Sequence, residues 1–224
     1  EIAGGGLEMV RVADDGCGME EDDCLLALER HATSKISGAE DLERINTLGF
    51  RGEALPSLAA VCRLTIISRR AEDDAATCVR VEGGELREVV PAGRAPGTTI
   101  EAADLFFNTP ARRKFLSSPA REAALISEVV SRYAMAHPAV GFRLESAGRS
   151  VLSLPPAASR RERLAASLGR VLAGELIAAH PEGGLLPLTP GLAIEAYLAP
   201  PELSRSSARQ AFFFLGGRPI RDRL

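Results

Sequence analysis

Leu48-Gly49-Phe50-Arg51-Gly52-Glu53-Ala54-Leu55 is the segment from which the architecture of this chain is most directly read. Two glycines flank an aromatic–arginine pair, and an apolar run over 55–61 follows at helical spacing. A loop that feeds a helix N-terminus in this way leaves backbone N–H groups free to bind phosphate oxygens. The pattern therefore predicts a phosphate-binding loop, although glycines that only mark a turn beside a solvated arginine explain it equally well.

Composition limits the classes of protein to consider. The 224 residues are 46% hydrophobic and 25% charged, which suits one large or two modest cores. The net charge of −3 means that any nucleic-acid site must be a local patch. No apolar run approaches the length of a membrane span. The four cysteines lack metal-ligand spacing, which argues against zinc and favours reduced thiols in a cytoplasmic protein.

Hydrophobic periodicity predicts a chain that mixes helices and strands. Strands are expected at 7–13, 63–68, 77–82, 86–90, 98–102, 192–198 and 211–215, with a hairpin over 142–154. Helices are expected at 20–30, 55–61, 118–136 and 160–176. The polar segment 31–46 is typical of a long loop, and long loops inside compact domains are usually functional. The order of these elements predicts a domain boundary near residues 117–125.

Asp14-Asp15-Gly16-Cys17-Gly18 follows a predicted strand and is a second candidate for chemistry. A carboxylate there can accept a hydrogen bond from the exocyclic amino group of a purine. An Asx-turn with glycines at positive φ explains the same residues without any ligand. Gly97-Thr98-Thr99 opens a later strand and would supply a hydroxyl to the same base or to its bridging water.

Two polar segments add candidates of lower specificity. Thr33, Ser34 and Lys35 offer two hydroxyls and a cation, which suit a lid over phosphates, and a solvated polar loop is the alternative. The candidates for contact with DNA phosphates are Arg205, Arg209, Arg218, Arg221 and Arg223. A solvated arginine-rich face is equally compatible with this second segment.

Five segments occur in the order and spacing of the MutL family of DNA mismatch repair proteins, and the chain resembles that family over nearly its whole length. They are Asp14-Asp15-Gly16-Cys17-Gly18-Met19, Arg30-His31-Ala32-Thr33-Ser34-Lys35-Ile36, Gly49-Phe50-Arg51-Gly52-Glu53-Ala54-Leu55, Gly97-Thr98-Thr99 and residues 104–116. The third segment is the most specific, because topoisomerases and chaperone ATPases of the same superfamily carry a different second glycine motif.

The resemblance implies an α+β fold in two domains. Residues 1–120 would form an ATP-binding α/β sandwich of the gyrase, chaperone, histidine-kinase and MutL (GHKL) type, a mixed sheet with helices on one face. Residues 121–224 would form a second α/β domain of the ribosomal-protein-like type. The residues implied to bind ATP are Asp14, Gly16, Gly18, Thr33, Ser34, Lys35, Gly49, Phe50, Arg51, Gly52, Thr98 and Thr99. Asp14 would contact the adenine amino group, and the main chain over 49–52 would cradle the phosphates.

The family's catalytic residues have no counterpart in this sequence. Its glutamate that activates water and its asparagine that holds Mg²⁺ would lie upstream of Glu1, and its lysine that reaches the γ-phosphate would lie beyond Leu224. We therefore take the chain to be a fragment and assign no residue of it to catalysis or to metal binding. Asp15 also departs from the family, which usually has asparagine there, as does Gly216.

The activity that the resemblance implies is slow ATP hydrolysis by a dimeric clamp that couples mismatch recognition to downstream excision. Its partners would be DNA, bound without sequence preference, a MutS-type mismatch-recognition protein and a second copy of the chain. Its location would be the bacterial cytoplasm, at the nucleoid. The alternatives are a nucleotide-responsive DNA-binding module without turnover, and another GHKL ATPase such as a topoisomerase or a chaperone.

Overall fold

The structure is a computed structural model, and it describes residues 1–30, 52–179, 186–189, 192–203 and 211–220. The chain divides into two compact units. One consists of Glu1–Glu128 with Leu144–Val151, and the other of Val129–Arg143 with Leu152–Leu224. The domain boundary expected after residue 120 stays a prediction.

A sheet of eight strands carries the first unit. The elements up to the end of this sheet are β1 (Ile2–Ala3), β2 (Met9–Ala13), α1 (Glu21–Leu26), α2 (Ala54–Ala59), β3 (Arg63–Arg69), β4 (Ala76–Glu82), β5 (Glu85–Ala92), β6 (Gly97–Ala103), α3 (Pro110–Arg113), α4 (Pro119–Ala136), β7 (Phe142–Ser146) and β8 (Arg149–Leu154). The strand order is β5-β4-β3-β6-β2-β1-β7-β8. The sheet is mixed, because β1 pairs in parallel with β7 whereas β1 and β2, β2 and β6, and β3 and β6 pair in antiparallel.

Alternation along the central strands decides which face of this sheet is buried. On β3, Leu64 and Ile66 are 1% and 0% exposed and point to the same face, because residues two apart in a strand share a face. Cys24 of α1 and Ala59 of α2 belong to the same core cluster, so both short helices pack on that face. Each large apolar side chain buried in this way stabilises the fold by about 1.5–3 kcal/mol.

Besides the end of α4 and parts of β7 and β8, the described part of the second unit consists of short helices and two-stranded ladders. The elements are α5 (Arg160–Leu168), α6 (Arg170–Glu175), β9 (Ile177–Ala178), β10 (Leu186–Thr189), β11 (Leu192–Ile194), β12 (Tyr197–Leu198), β13 (Phe213–Leu215) and β14 (Arg218–Ile220). The ladders join β9 to β12, β10 to β11, and β13 to β14. Within the described ranges, no helix of either unit is long and apolar enough to cross a membrane.

Three predicted elements are wrong in their extent. The helix expected over 20–30 ends at Leu26, after which Leu28 N and Glu29 N donate to carbonyls three residues back and tighten the chain into turns. The helix expected over 160–176 is broken at Gly169, whose φ of 91° is not helical. The strand expected over 192–198 is two strands, β11 and β12, because each pairs with a different partner.

The remaining strand and helix predictions on described residues agree with the structure to within a few residues. The α+β class with a mixed sheet and helices packed on its core face is confirmed. Strands β3 and β6 thus share the face that packs on the core.

Candidate functional site

Three polar residues lie level with one another at the ends of three neighbouring strands. Ser68 of β3 is paired with Thr98 of β6, and Asp14, which follows β2, donates its N–H to the Thr98 carbonyl at 2.8 Å. Directly paired residues point to the same face of a sheet. Two residues further along, that face carries Ile66 and Ile100 of the core. The apolar face of the sheet therefore becomes polar at this row.

Within the described part of the chain, Asp14 is held through one of its two carboxylate oxygens. Its Oδ1 accepts hydrogen bonds from Gly16 N at 2.9 Å and from Thr98 N at 3.2 Å. Among the described residues, Oδ2 has no hydrogen-bond partner, and the side chain is exposed. The Asx-turn considered as the alternative is thus present, and none of its hydrogen bonds uses Oδ2, which is a potential acceptor for a ligand.

Ser68 and Thr98 form a buried pair of hydroxyls next to this carboxylate. They are 1% and 8% exposed, and their oxygens lie 2.9 Å apart. Ser68 Oγ also accepts from Met19 N at 2.8 Å and lies 3.2 Å from the Gly97 carbonyl oxygen. Motif reading missed Ser68. Its signal was a hydroxyl that continues the buried alternation of Leu64 and Ile66 on β3.

Two glycines allow main-chain segments to touch at this row. Gly18 has φ of 74°, and a Cβ on it would lie 2.0 Å from the Arg69 carbonyl oxygen. Gly97 has φ of 122°, and a Cβ there would lie 2.2 Å from the Asp14 carbonyl oxygen. Real Cβ atoms do not approach other atoms so closely, so both positions require glycine. Together they hold the loop after β2 against β3 and β6.

Arg94 closes the same loop from the segment between β5 and β6. It donates Nη2–H to the Asp14 carbonyl at 2.9 Å and Nη1–H to the Ile67 carbonyl at 3.0 Å. Charge-assisted bonds of this kind are stronger than neutral ones. Arg94 was not predicted, because its partners stand far from it in the sequence.

The other predicted nucleotide residues are distributed as follows. Thr99 is paired with Ala13 and Ile67, so it points to the face opposite Thr98. Gly52 is described, with φ of 61°, and precedes the six-residue helix α2. The predicted residues that lie outside the described ones are Thr33, Ser34, Lys35, Gly49, Phe50 and Arg51.

The predicted DNA-contacting arginines belong to the second unit. Arg218 begins β14 and is half-buried. Arg205, Arg209, Arg221 and Arg223 lie outside the described residues. In the described ranges, no group of three or more His, Cys, Asp or Glu side chains is arranged to hold a metal ion. The four cysteines are free, and Cys24, Cys62 and Cys78 are buried.

Curated proteins similar to this chain include DNA mismatch repair proteins named MutL. The chain is 49% identical over 221 residues to the DNA mismatch repair protein MutL of Desulforudis audaxviator. This match covers 99% of this chain and 38% of that protein. It is 46% identical over 223 residues to MutL of Anaeromyxobacter dehalogenans, and this match covers 100% of this chain and 36% of that protein. The chain thus spans less than two fifths of the length of these relatives. No family model matches it.

Solved structures agree with these relatives. The MutL ATPase domain of Aquifex aeolicus, complexed with ADP, is 27% identical with a TM-score of 0.67, and the match covers 99% of this chain and 74% of that one. The N-terminal domain of a DNA repair protein is 23% identical with a TM-score of 0.77, over 99% of this chain and 68% of that one, and shows the fold alone. Since the relatives match from end to end of this sequence, the resemblance drawn from the five motifs is confirmed, and the chain belongs to the MutL family of DNA mismatch repair proteins.

Proposed function

We propose that this chain is the ATP-binding and ATP-hydrolysing region of a mismatch repair protein. The observation that carries the proposal is the row at the strand ends, where Asp14 Oδ2 has no hydrogen-bond partner among the described residues and stands near the buried hydroxyls of Ser68 and Thr98. A carboxylate oxygen is an acceptor for the amino group of adenine. Membership of the MutL family, and an ADP complex of a related ATPase domain, support the same ligand.

In this proposal the residues named here bind and orient ATP. Asp14 accepts from the adenine amino group, and Gly18 and Gly97 hold its loop in place. The residues proposed to cover or cradle the phosphates are Thr33, Ser34, Lys35, Gly49, Phe50, Arg51 and Gly52. Mg²⁺ would neutralise phosphate charge during hydrolysis, and none of the described residues is assigned to hold it.

The proposed biological role is that of a dimeric clamp. ATP binding would join the nucleotide-binding regions of two copies, and hydrolysis would release them. The clamp would bind DNA through phosphate contacts that include Arg205, Arg209, Arg218, Arg221 and Arg223, and would pass the signal of a MutS-type protein to excision enzymes. We place it in the bacterial cytoplasm at the nucleoid. These roles rest on family membership.

The first experiment measures nucleotide affinity and turnover in the full-length protein, comparing Asp14→Asn with Asp15→Asn. Both substitutions remove one negative charge from exposed neighbouring positions. Only Asp14→Asn can place an amide N–H against the adenine amino group, so we expect at least about 10-fold weaker ATP binding in that variant. Asp15→Asn should bind as the unaltered protein does.

Equal affinities in the two variants would reduce Asp14 to a turn residue and remove the adenine pocket from the proposal. ATP binding without any turnover in the unaltered protein would support the nucleotide-responsive DNA-binding module instead of the ATPase.

A further inference from the structure

Arg94 joins the two strands that flank β6. Strand β6 lies between β2 and β3 in the sheet, and Arg94 belongs to the segment that leads into it. Its Nη1 donates to the Ile67 carbonyl of β3 at 3.0 Å, and its Nη2 donates to the Asp14 carbonyl after β2 at 2.9 Å. One side chain therefore connects the loop after β2 to β3 at the end of the sheet where β6 begins.

The orientation of the Asp14 carbonyl decides whether the Asx-turn can close. Asp14 Oδ1 accepts from Gly16 N at 2.9 Å, and the ring that this bond closes contains the peptide group between Asp14 and Asp15. A rotation of that peptide group would turn its carbonyl away from Arg94 and would move Gly16 N away from Oδ1. By holding the carbonyl, Arg94 thus holds the Asp14 carboxylate through the main chain.

The contact suits an arginine better than any other cation. A guanidinium is a planar fork whose terminal nitrogens can donate to two separate acceptors, whereas the ammonium of lysine is a single point charge. Bonds from a charged donor are also stronger than neutral ones. Gly97 lies against the same carbonyl, since a Cβ on it would be 2.2 Å from the Asp14 carbonyl oxygen. The carbonyl therefore has one close neighbour without a side chain and one charged donor.

We propose that Arg94 is a positioning residue for the nucleotide, which fixes the Asp14 carbonyl and thereby holds the Asp14 carboxylate in the orientation that accepts the adenine amino group. Arg94 itself touches no part of the nucleotide in this proposal. The inference rests on the proposed nucleotide-binding function and adds to it a residue that stands outside the sequence motifs.

The test measures two affinities by calorimetry on the full-length protein, those of ADP and of purine riboside 5′-diphosphate. The second nucleotide differs from ADP only in lacking the amino group at C6. We expect Arg94→Ala to weaken ADP by about 3- to 10-fold and the analogue by less than about 2-fold, because only ADP uses the Asp14 carboxylate. Arg94→Lys keeps the charge without the fork, so it should lose less affinity for ADP than Arg94→Ala.

Two further variants separate this role from a general effect of charge or packing. Arg80→Ala removes an exposed arginine of β4 that pairs with Glu88, and it should leave both affinities unchanged. The variant that combines Arg94→Ala with Asp14→Asn should bind ADP as weakly as Asp14→Asn alone, because Arg94 acts through Asp14.

An equal loss of affinity for the two nucleotides in Arg94→Ala would overturn the proposal, since a lost charge or a loosened loop weakens both alike. Additive losses in the combined variant would also overturn it, as would an unchanged ADP affinity in Arg94→Ala. If the unaltered protein bound ADP and the analogue equally well, the adenine pocket itself would be disproved, and the proposed function would fail rather than this inference alone.

Discussion

Gly18 brings the loop after β2 against the main chain of β3, and Gly148 provides a natural comparison for it. Their φ angles are 74° and 73°. A Cβ at Gly18 would lie 2.0 Å from the Arg69 carbonyl oxygen, whereas one at Gly148 would meet nothing within 4 Å. The two positions therefore separate the cost of a left-handed backbone from the cost of close approach.

We expect Gly148→Ala to lower the free energy of unfolding by about 1 kcal/mol, because an L side chain at positive φ is strained. Gly18→Ala should lower it by about 3 kcal/mol or more, because main chain must also move. It should weaken ADP binding as well, since Asp14 lies in the same loop. Urea unfolding of both variants measures the difference, and equal losses would show that the loop can move away from β3 at no cost.

At the level of single residues, the sequence indicated those candidates that belong to local motifs. Asp14 and Thr98 stand in short motifs and could be selected without a structure. Ser68 and Arg94 could not, because their partners come from elsewhere in the chain. Met19 is 49 positions from Ser68, and Asp14 is 80 positions from Arg94. A hydrogen bond between distant segments leaves no local spacing to detect.

Helix α5 is anchored by a buried cation. Arg163 is 0% exposed, and its Nη2 donates to the carbonyls of Pro138, Val140 and Pro155 at 2.9, 2.6 and 2.9 Å. Burial lowers the pKa of the Arg163 guanidinium from its ordinary value. Carbonyl dipoles arranged around the charge offset part of the cost of removing it from water.

Arg163→Ala should lower the free energy of unfolding by about 3–5 kcal/mol, because it leaves a cavity and three carbonyls without this donor. Arg161→Ala is the matched control, since Arg161 is exposed on the same helix and should change stability by no more than about 0.5 kcal/mol. Chemical denaturation of the two variants gives the comparison. Similar losses would mean that the buried hydrogen bonds contribute nothing net.

Among the elements, strands were easier to predict than helix ends. The alternation on β3 identified that strand, since Leu64, Ile66 and Ser68 are buried and the residues between them are more exposed. Gly169 was readable as a helix breaker, and the prediction of one helix across it ignored the cost of glycine in a helix interior. Ser159 caps the start of α5, where its Oγ accepts from Glu162 N at 3.2 Å. A serine followed three residues later by a glutamate is a capping pattern that can be recognised from the sequence alone.

At the scale of the whole molecule, two buried thiols couple folding to pH. Burial, aided by the charges of Asp23 and Glu21, raises the pKa of the Cys24 thiol to about 11, and burial alone raises the pKa of Cys62 to about 11. In the unfolded chain both thiols lose their protons at lower pH. Between the two pKa values the unfolded state therefore binds fewer protons than the folded state, so stability falls as pH rises.

We expect the free energy of unfolding to be insensitive to these thiols below pH ~8 and to fall by about 1.4 kcal/mol per pH unit for each thiol between pH ~9 and ~11. Urea titrations across that range measure the slope. Cys62→Ala should remove its share of the slope, whereas Cys17→Ala, at an exposed position, should leave it unchanged. Stability that rose with pH in this window would contradict the assignment.

The overall α+β class could be predicted because strand alternation and helical periodicity are local properties, while the order of the strands could not. Nothing in residues 2–3 indicates that they lie between β2 and β7. The split of residues 192–198 between two ladders could not be predicted for the same reason, because the pattern of a strand does not indicate which strand it pairs with. Family motifs supplied the architecture that periodicity lacked.

Strand β1 has a further consequence for how the sheet assembles and comes apart. It is two residues long and holds β7 by the single pair Ile2 and Ser146, with Ala147 N donating to the Ile2 carbonyl at 3.2 Å. Strands β3 and β4, in contrast, are paired from Arg63 to Ser68 and are close in sequence. Joining β1 to β7 requires closure of a very long loop for few hydrogen bonds, so this junction should form late in folding. The amide protons at the pairing of β1 with β7 should also exchange with solvent first, while those of β3 and β4 stay protected until the unit unfolds globally.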